Sequence, residues 1–204
     1  MARTTNRAWQ RMLSGRRLDL LNPSPLDVEI GDIAHGLARV SRWNGQTIGD
    51  YPFSVAQHSI LVLEVFNASS ATAKPDEQLY ALLHDAPEYV MGDIISPFKA
   101  AMGGNYKDIE ERILEAIHLR FSLSASRPVK LMRAIKKADK QAAYFEAIHL
   151  AGFEADEARR LFGDPLLPEF DLDGFDRLIR PWPTHEAQQR FNKIFEKVSA
   201  KVTG

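Results

Sequence analysis

The segment with the most potential for chemistry runs from 84 to 93 and contains His84, Asp85, Glu88 and Asp93. Apolar residues precede and separate these side chains, and charged residues are rarely buried unless they are paired or bind a metal. An adjacent His and Asp offer an imidazole nitrogen and a carboxylate oxygen, which divalent transition metals accept as ligands. For this dipeptide alone, a buried histidine paired with its neighbouring aspartate is the simpler interpretation.

Two prolines indicate how this segment is shaped. Pro75 suits the first turn of a helix over 76–83. Pro87 disfavours the helical conformation at the residue before it, so we expect a break near Asp85 and a short helix carrying Glu88 beyond it. Consecutive helical side chains point about 100° apart, and a break could therefore help the neighbouring His and Asp to meet one ion.

Two further candidates lie on predicted helices elsewhere in the chain. A Ser-to-Gln capping pattern opens a helix over 54–68, with His58 in its first turn. Taken alone, His58 would be a solvated or core histidine. Asp139 falls on the apolar face of a long helix over 128–150, where a carboxylate needs a partner. That partner is either a basic side chain or a metal, although the nearby lysines are expected to extend into solvent: Lys136, Lys137 and Lys140.

The remaining histidines are not assigned to a site. His118 and His149 lie near the ends of predicted helices, where the helix dipole favours an imidazolium. His185 begins the last predicted helix. His35 shares a helix face with Arg42 and is left open.

The pattern of apolar residues predicts an all-α protein, because helical periodicity recurs along the chain and no alternating strand pattern is found. Further amphipathic helices are predicted over 32–41, 107–121 and 184–199. The proline-containing segment 163–183 is expected to be an extended wrap with little regular structure. We predict one domain in three parts: an N-terminal arm or short helix at 1–31, a core at 32–150 and a C-terminal helical extension packed on the core at 151–204.

Composition excludes several classes of function. The chain has 204 residues, a formal net charge of −1 and no cysteine. No global field favours nucleic acid polymers or anionic membranes, and no disulfide, thiolate site or thiol nucleophile can form. The lack of cysteine fits a cytoplasmic protein, and no apolar run is long enough to span a membrane. The stripes at 107–121 and 184–199 could form a homodimer interface, but core packing explains them equally.

The ordered set of His58, His84, Asp85 and Asp139 resembles the H…HD…D pattern of the HD superfamily of metal-dependent phosphohydrolases. The resemblance covers about residues 32–150. It implies a helical bundle of the HD-domain type in which these four side chains hold one divalent ion. The nitrogen and oxygen ligands admit Mn, Fe, Co, Ni or Zn, and Mg less well. Such an ion can lower the pKa of bound water from 15.7 to about 7.

Within the superfamily, the chain is most similar to the 5′-deoxynucleotidase branch. That branch has counterparts of Arg42, Trp43, Glu88, Asp93 and Lys99. The resemblance implies that the first two and the lysine contact substrate and that the two acids are catalytic. A guanidinium suits bidentate phosphate contact, the indole either stacks on a base or covers the core, and a carboxylate four residues after the HD histidine suits proton transfer. For Asp93, a helix-capping role after Gly92 is the alternative.

Two departures from the branch affect the substrate more than the metal. Glutamate usually precedes the first histidine, where this chain has Gln57. The segment 44–53 does not follow the usual sequence either, and it lies between two presumed site elements.

The sequence therefore predicts an enzyme that releases phosphate from a small-molecule ester, a (deoxy)nucleoside 5′-monophosphate. One alternative is a pyrophosphohydrolase of the kind that cleaves guanosine tetraphosphate. That class needs a larger basic pocket, for which only Arg39, Arg42 and Lys99 are obvious candidates. Another alternative is a non-catalytic nucleotide-binding regulator with a structural metal, which Glu88 and Asp93 argue against.

Overall fold

Helices dominate the structure, a computed structural model that describes residues 8–70, 72–94, 104–165, 167–168 and 172–202. We number them α1 (Ile30–Leu37), α2 (Val55–Ser69), α3 (Pro75–Leu82), α4 (Glu88–Met91), α5 (Gly104–Arg120), α6 (Val129–His149), α7 (Ala155–Phe162), α8 (Phe175–Ile179) and α9 (Thr184–Ser199). The all-α prediction is confirmed. Within the described residues, no helix has both the length and the apolar character needed to cross a bilayer.

The N-terminal segment differs from the predicted arm or short helix. Two short strands, β1 (Trp9–Arg11) and β2 (Arg17–Asp19), pair as an antiparallel hairpin whose Leu18 is fully buried. In the turn, Ser14 donates its backbone N–H and its hydroxyl to Asp32 at 2.9 and 2.5 Å. Asp32 therefore anchors the hairpin from the first turn of α1.

Helix α2 lies at the centre of the bundle and packs against α3, α6 and α9. It is buried on nearly every side, as expected for a helix that is apolar all round. Helix α9 also contacts α1 and α3, and the rings of Phe121 and Phe195 lie 4.7 Å apart between centroids. Core packing therefore accounts for the two amphipathic stripes that were candidates for a dimer interface.

The chain between α1 and α2 is tied to the start of α2. The backbone N–H of Arg42 donates to the Phe53 carbonyl at 2.8 Å, and that of Val55 donates to the Val40 carbonyl at 3.0 Å. These bonds require an extended backbone, so α1 ends at Leu37 and not near 41 as predicted. They also bring the Arg42 backbone beside the first turn of α2.

The segment 163–183 contains more regular structure than predicted, because Phe175–Ile179 forms the helix α8. This helix packs against α2 and α6. Its apolar residues are buried with their neighbours in the main core: Leu172, Phe175, Ile179 and Trp182. The hydrophobic pattern over five residues was too short to distinguish this helix from an extended wrap.

Gln57 fastens this C-terminal segment to α2. Its amide nitrogen donates to the Leu178 and Arg180 carbonyls at 2.8 and 2.7 Å, and its amide oxygen accepts from the Trp182 N–H at 3.0 Å. The residue is only 1% exposed. A carboxylate has no donor for the two carbonyls, so the contact requires glutamine at the position before His58.

We expect Gln57→Glu to destabilise the protein by about 2–6 kcal/mol, because each of two buried carbonyls loses its donor at a cost of about 1–3 kcal/mol. Urea denaturation measures the loss. Gln78→Glu is the matched control, since Gln78 makes one long bond of 3.4 Å to Ala73. Equal stability losses in the two variants would contradict the role given to Gln57.

Candidate metal centre

The first candidate ligand is positioned by the capped start of α2. The Ser54 hydroxyl accepts from the Gln57 N–H at 3.3 Å, as the capping pattern predicts. His58 follows in the first turn and is fully buried. Between α3 and α4 the chain breaks as predicted, and His84 and Asp85 lie in that break.

The structure brings four side chains from three segments together: His58, His84, Asp85 and Asp139. One ligand atom from each lies within 4.8 Å of the others. The His58 Nε2 atom is 3.4 Å from one oxygen of each carboxylate, and the His84 Nε2 atom is 3.1 Å from Asp85 Oδ2. Two nitrogens and two oxygens at this spacing suit a divalent transition metal.

The two imidazoles are oriented to present Nε2 toward the cluster. The His84 Nδ1 atom lies 2.9 Å from the Ala81 carbonyl, which can only accept, so Nδ1 carries the proton. The His58 Nδ1 atom lies 2.5 Å from Glu146 Oε1 and is held in the same way. Both Nε2 atoms are buried, and although carboxylate oxygens lie 3.1–3.4 Å away, neither atom makes a hydrogen bond of good geometry with the described groups. A lone pair facing a carboxylate requires a proton or a cation between them, so these residues fit a divalent ion.

The charges in the cluster also indicate that a proton or a cation lies between the His58 ring and the carboxylates. Burial and the Arg42 charge lower the pKa of His58, but Glu146, Asp139 and Asp85 raise it, and the net shift is well upward. Burial raises the pKa of Asp85 and Asp139, but the two histidines lower both well below the usual range. Without a metal, the His58 ring therefore holds a proton at neutral pH between two ionised carboxylates.

We expect metal binding to release a proton and to weaken as the pH falls. Because the pKa of His58 is raised, the proton and the ion compete for Nε2 at every pH below that raised pKa. Affinity should rise with pH until His58 is deprotonated without metal. Calorimetry in buffers of different ionisation enthalpy measures the protons released. Metal binding near neutral pH without proton release would contradict this assignment.

Glu146 is the site residue that the sequence interpretation missed. It is fully buried on α6, two turns after Asp139 and on the same helix face. Oε1 pairs with His58 Nδ1, while Oε2 accepts from the Trp43 indole N–H at 2.8 Å and from Arg42 Nε at 3.3 Å. Burial raises its pKa, but Arg42 and His58 lower it overall, so it stays ionised. The seven-residue spacing from Asp139 was the available signal.

We expect Glu146→Gln to weaken metal binding about 10–100-fold, the usual effect of losing a carboxylate that orients a metal-binding histidine. Titration with a competing chelator measures this. Trp43→Phe is the control, because it removes a donor to Oε2 and leaves the Oε1–His58 pair. If both variants lose the same affinity, the effect does not pass through His58.

The predicted catalytic acids lie near Arg42. Asp93 Oδ2 is 3.2 Å from Arg42 Nη1, and the two side chains are 9% and 13% exposed. Glu88 is 2% exposed in the first turn of α4, and its backbone N–H donates to the Asp85 carbonyl at 3.0 Å. Burial lowers the pKa of Arg42, but Glu146, Asp93, Asp85 and Glu88 raise it, so the guanidinium stays charged.

The Trp43 ring packs against two phenylalanines of the C-terminal extension. It adopts a positive φ of 56°. Its ring centroid lies 5.6 Å from that of Phe153 and 5.9 Å from that of Phe162. Lys99, the third predicted substrate contact, lies outside the described residues.

His118 differs from its predicted state. It is 1% exposed, and its ring packs edge-on against Tyr80 at 4.8 Å. Burial lowers its pKa to about 4, so the ring is neutral at neutral pH. The expected imidazolium at a helix end is therefore wrong, because burial outweighs the helix dipole.

The chain is similar enough in sequence to one protein of Rhodobacter capsulatus to share its family. No known family profile matches it. Among solved structures, it is similar to a cyanophage S-2L HD phosphohydrolase (DatZ), bound to dA and one catalytic Zn²⁺ ion, with 20% identity, a TM-score of 0.48 and coverage of 85% of this chain and 98% of that one. An uncharacterized protein of Rhodobacter capsulatus is 58% identical over 179 residues, which are 87% of this chain and 89% of that protein. The chain belongs to the same family as this Rhodobacter capsulatus protein.

Proposed function

We propose that the chain is an HD-type metal-dependent phosphohydrolase that releases phosphate from a (deoxy)nucleoside 5′-monophosphate. The observation that carries the proposal is the convergence of His58, His84, Asp85 and Asp139, in the order of the H…HD…D pattern. Two oriented imidazoles and two ionised carboxylates balance a divalent charge. The nitrogen and oxygen donors admit Mn, Fe, Co, Ni or Zn, and Mg less well.

We assign the metal to those four side chains. When bound, a divalent ion supplies Lewis-acid stabilisation to a phosphoryl oxygen. Glu146 fixes the tautomer of His58, and the Ala81 carbonyl fixes that of His84.

The neighbouring side chains have the remaining roles. Glu88, buried one turn beyond Asp85, is proposed to transfer a proton, and Asp93 holds Arg42 or shares that transfer. Arg42 is a proposed phosphate contact, although its guanidinium already meets Glu146 and Asp93. Trp43 packs on two phenylalanines and bonds to Glu146, and these contacts support a structural role for its ring and not stacking on a base.

The division of the chain into three parts also fits this site. The residues assigned to metal and proton transfer fall between 32 and 150. The extension from 151 packs on them through Phe153, Phe162 and the bonds to Gln57. The hairpin joins the core through Asp32. We therefore propose that the 32–150 core carries the chemistry.

A phosphatase screen with each metal in turn tests the proposal. We expect orthophosphate from at least one nucleoside monophosphate, dependent on metal and abolished by a chelator. Pyrophosphate released from guanosine tetraphosphate would support the alternative activity. Full metal loading without turnover of any phosphoester would contradict the enzymatic proposal and favour a regulator.

A further inference from the structure

The substrate phosphate needs positive charge beside the metal ligands, and the charge of Arg42, the phosphate contact proposed above, is already shared with two carboxylates. Its Nε atom meets Glu146 at 3.3 Å and its Nη1 atom meets Asp93 at 3.2 Å. Both partners of this guanidinium are carboxylates, so its charge is already balanced within the protein. A phosphate that approaches Arg42 is therefore repelled by both carboxylates as well as attracted by the guanidinium.

Lys136 provides positive charge at the edge of the cluster. It lies on α6, three residues before Asp139, and its Nζ atom is 2.6 Å from Asp139 Oδ2. The other oxygen of that carboxylate faces His58 at 3.4 Å. The Lys136 side chain is 68% exposed, so solutes can reach it. Because an ammonium has three N–H donors, one group can bridge Asp139 and a phosphate oxygen.

Lys136 also lies at one end of a groove between α5 and α6. The cavity has a volume of about 460 Å³, within the range of small-molecule sites. The α6 side of the groove consists of Val129, Met132, Arg133 and Lys136. Their helical spacing continues to Asp139, so the groove and the cluster share one face of α6, with Lys136 between them and none of the four cluster residues in the groove lining. Arg133 adds a second positive charge on the α6 side, while Glu111 and Glu115 place negative charge on the α5 side, so the groove suits the uncharged part of an ester better than its phosphate.

We propose that Lys136 binds the phosphate of the substrate, and that the rest of a phosphomonoester lies along the α5–α6 groove. This inference rests on the proposed phosphohydrolase function and adds an anion subsite to it. The Lys136 side chain is largely exposed, as the sequence predicts, and the structure also places its ammonium against a candidate metal ligand. A phosphate held there contacts Lys136 and lies beside the four candidate ligands.

Binding of inorganic phosphate to the metal-loaded protein tests the inference without relying on turnover. Wild type, Lys136→Gln and Lys137→Gln are compared by calorimetry at low salt, and the metal content of each is measured. Lys137 is the matched control because it is exposed and points about 100° away around the same helix. We expect Lys136→Gln to weaken phosphate binding about tenfold or more, since it removes a charge-assisted hydrogen bond. Lys137→Gln should bind within about twofold of wild type, because separated surface charges are screened.

Several outcomes would overturn the inference: no phosphate binding by wild type, unchanged binding in Lys136→Gln, equal loss in both variants, or loss of metal from Lys136→Gln. With an active nucleotide, Lys136→Gln should raise KM more than it lowers kcat, as expected for ground-state binding. Phosphate binding through Lys136 without hydrolysis of any nucleotide would refute the proposed function and leave the anion subsite. Hydrolysis of a nucleotide together with unchanged phosphate binding in Lys136→Gln would refute the anion subsite and leave the proposed function.

Discussion

Replacing Asp139 with alanine should abolish stoichiometric metal binding and, with it, all metal-dependent phosphate release. Asp139 is the ligand that α6 brings to the cluster, and its Oδ1 atom lies 3.4 Å from His58 Nε2. Without it, three candidate ligands are left for a divalent ion, and only one of them, Asp85, is a carboxylate. Elemental analysis of the purified variant measures the occupancy directly.

A matched control shows whether Asp139 serves to bind a metal or only to pair with Lys136. Lys136 bonds to Asp139 Oδ2, so the aspartate could serve only that ion pair. Lys136→Gln removes this pair and leaves the carboxylate, and we expect it to keep its metal. Unchanged metal occupancy in Asp139→Ala would remove Asp139 from the site.

The same pair of variants should differ in stability. A ligand that binds only the folded protein stabilises it by about 2.7 kcal/mol at one hundred times its dissociation constant. Added metal should therefore raise the melting temperature of wild type and of Lys136→Gln, and it should leave that of Asp139→Ala unchanged. The exposed ion pair itself contributes about 0–1 kcal/mol.

Glu88→Gln should reduce turnover by about 10²–10⁴-fold, the usual contribution of a positioned general acid or base. Glu88 is buried one turn beyond Asp85, close enough for its charge to help raise the pKa of Arg42. Four ligands are already assigned to the ion, so a fifth protein ligand would compete with water and phosphate. Glutamine keeps the shape of the side chain and removes its ability to accept a proton. Metal content and nucleotide affinity should therefore stay near normal.

Asp93→Asn distinguishes the two candidate acids. If Glu88→Gln keeps full turnover and Asp93→Asn loses it, proton transfer belongs to Asp93, which the structure pairs with Arg42 at 3.2 Å. If Glu88→Gln loses its metal, Glu88 is a ligand and the assignment is wrong. Single-turnover kinetics on both variants separate chemistry from substrate binding.

The helices and the break at His84 and Asp85 could be predicted because their signals are local. Capping residues, prolines and apolar periodicity are patterns that extend over only one or two helical turns of sequence. The hairpin could not be predicted in this way, because three-residue strands show no alternation, and its anchor Asp32 bonds to Ser14, eighteen residues away. Gln57 shows the same limit, since its partners lie more than 120 residues further along the chain.

The candidate ligands could be grouped from the sequence, but the residues that orient them could not. His58, His84, Asp85 and Asp139 could be grouped because the order of their types resembles a known pattern. Glu146 lies in an apolar run, and its role appears only when α2 and α6 pack and His58 needs a partner. For Asp139 the sequence left a basic side chain or a metal as alternatives. In the structure its two oxygens face Lys136 and His58 separately, which is compatible with both.

The most direct test of the central claim is anomalous diffraction from crystals of the protein loaded with a divalent transition metal. The predicted result is one anomalous peak among the side chains of His58, His84, Asp85 and Asp139, within bonding distance of both Nε2 atoms and both carboxylates. At full loading, the absence of a peak there, or a peak bound by other side chains, would contradict the account.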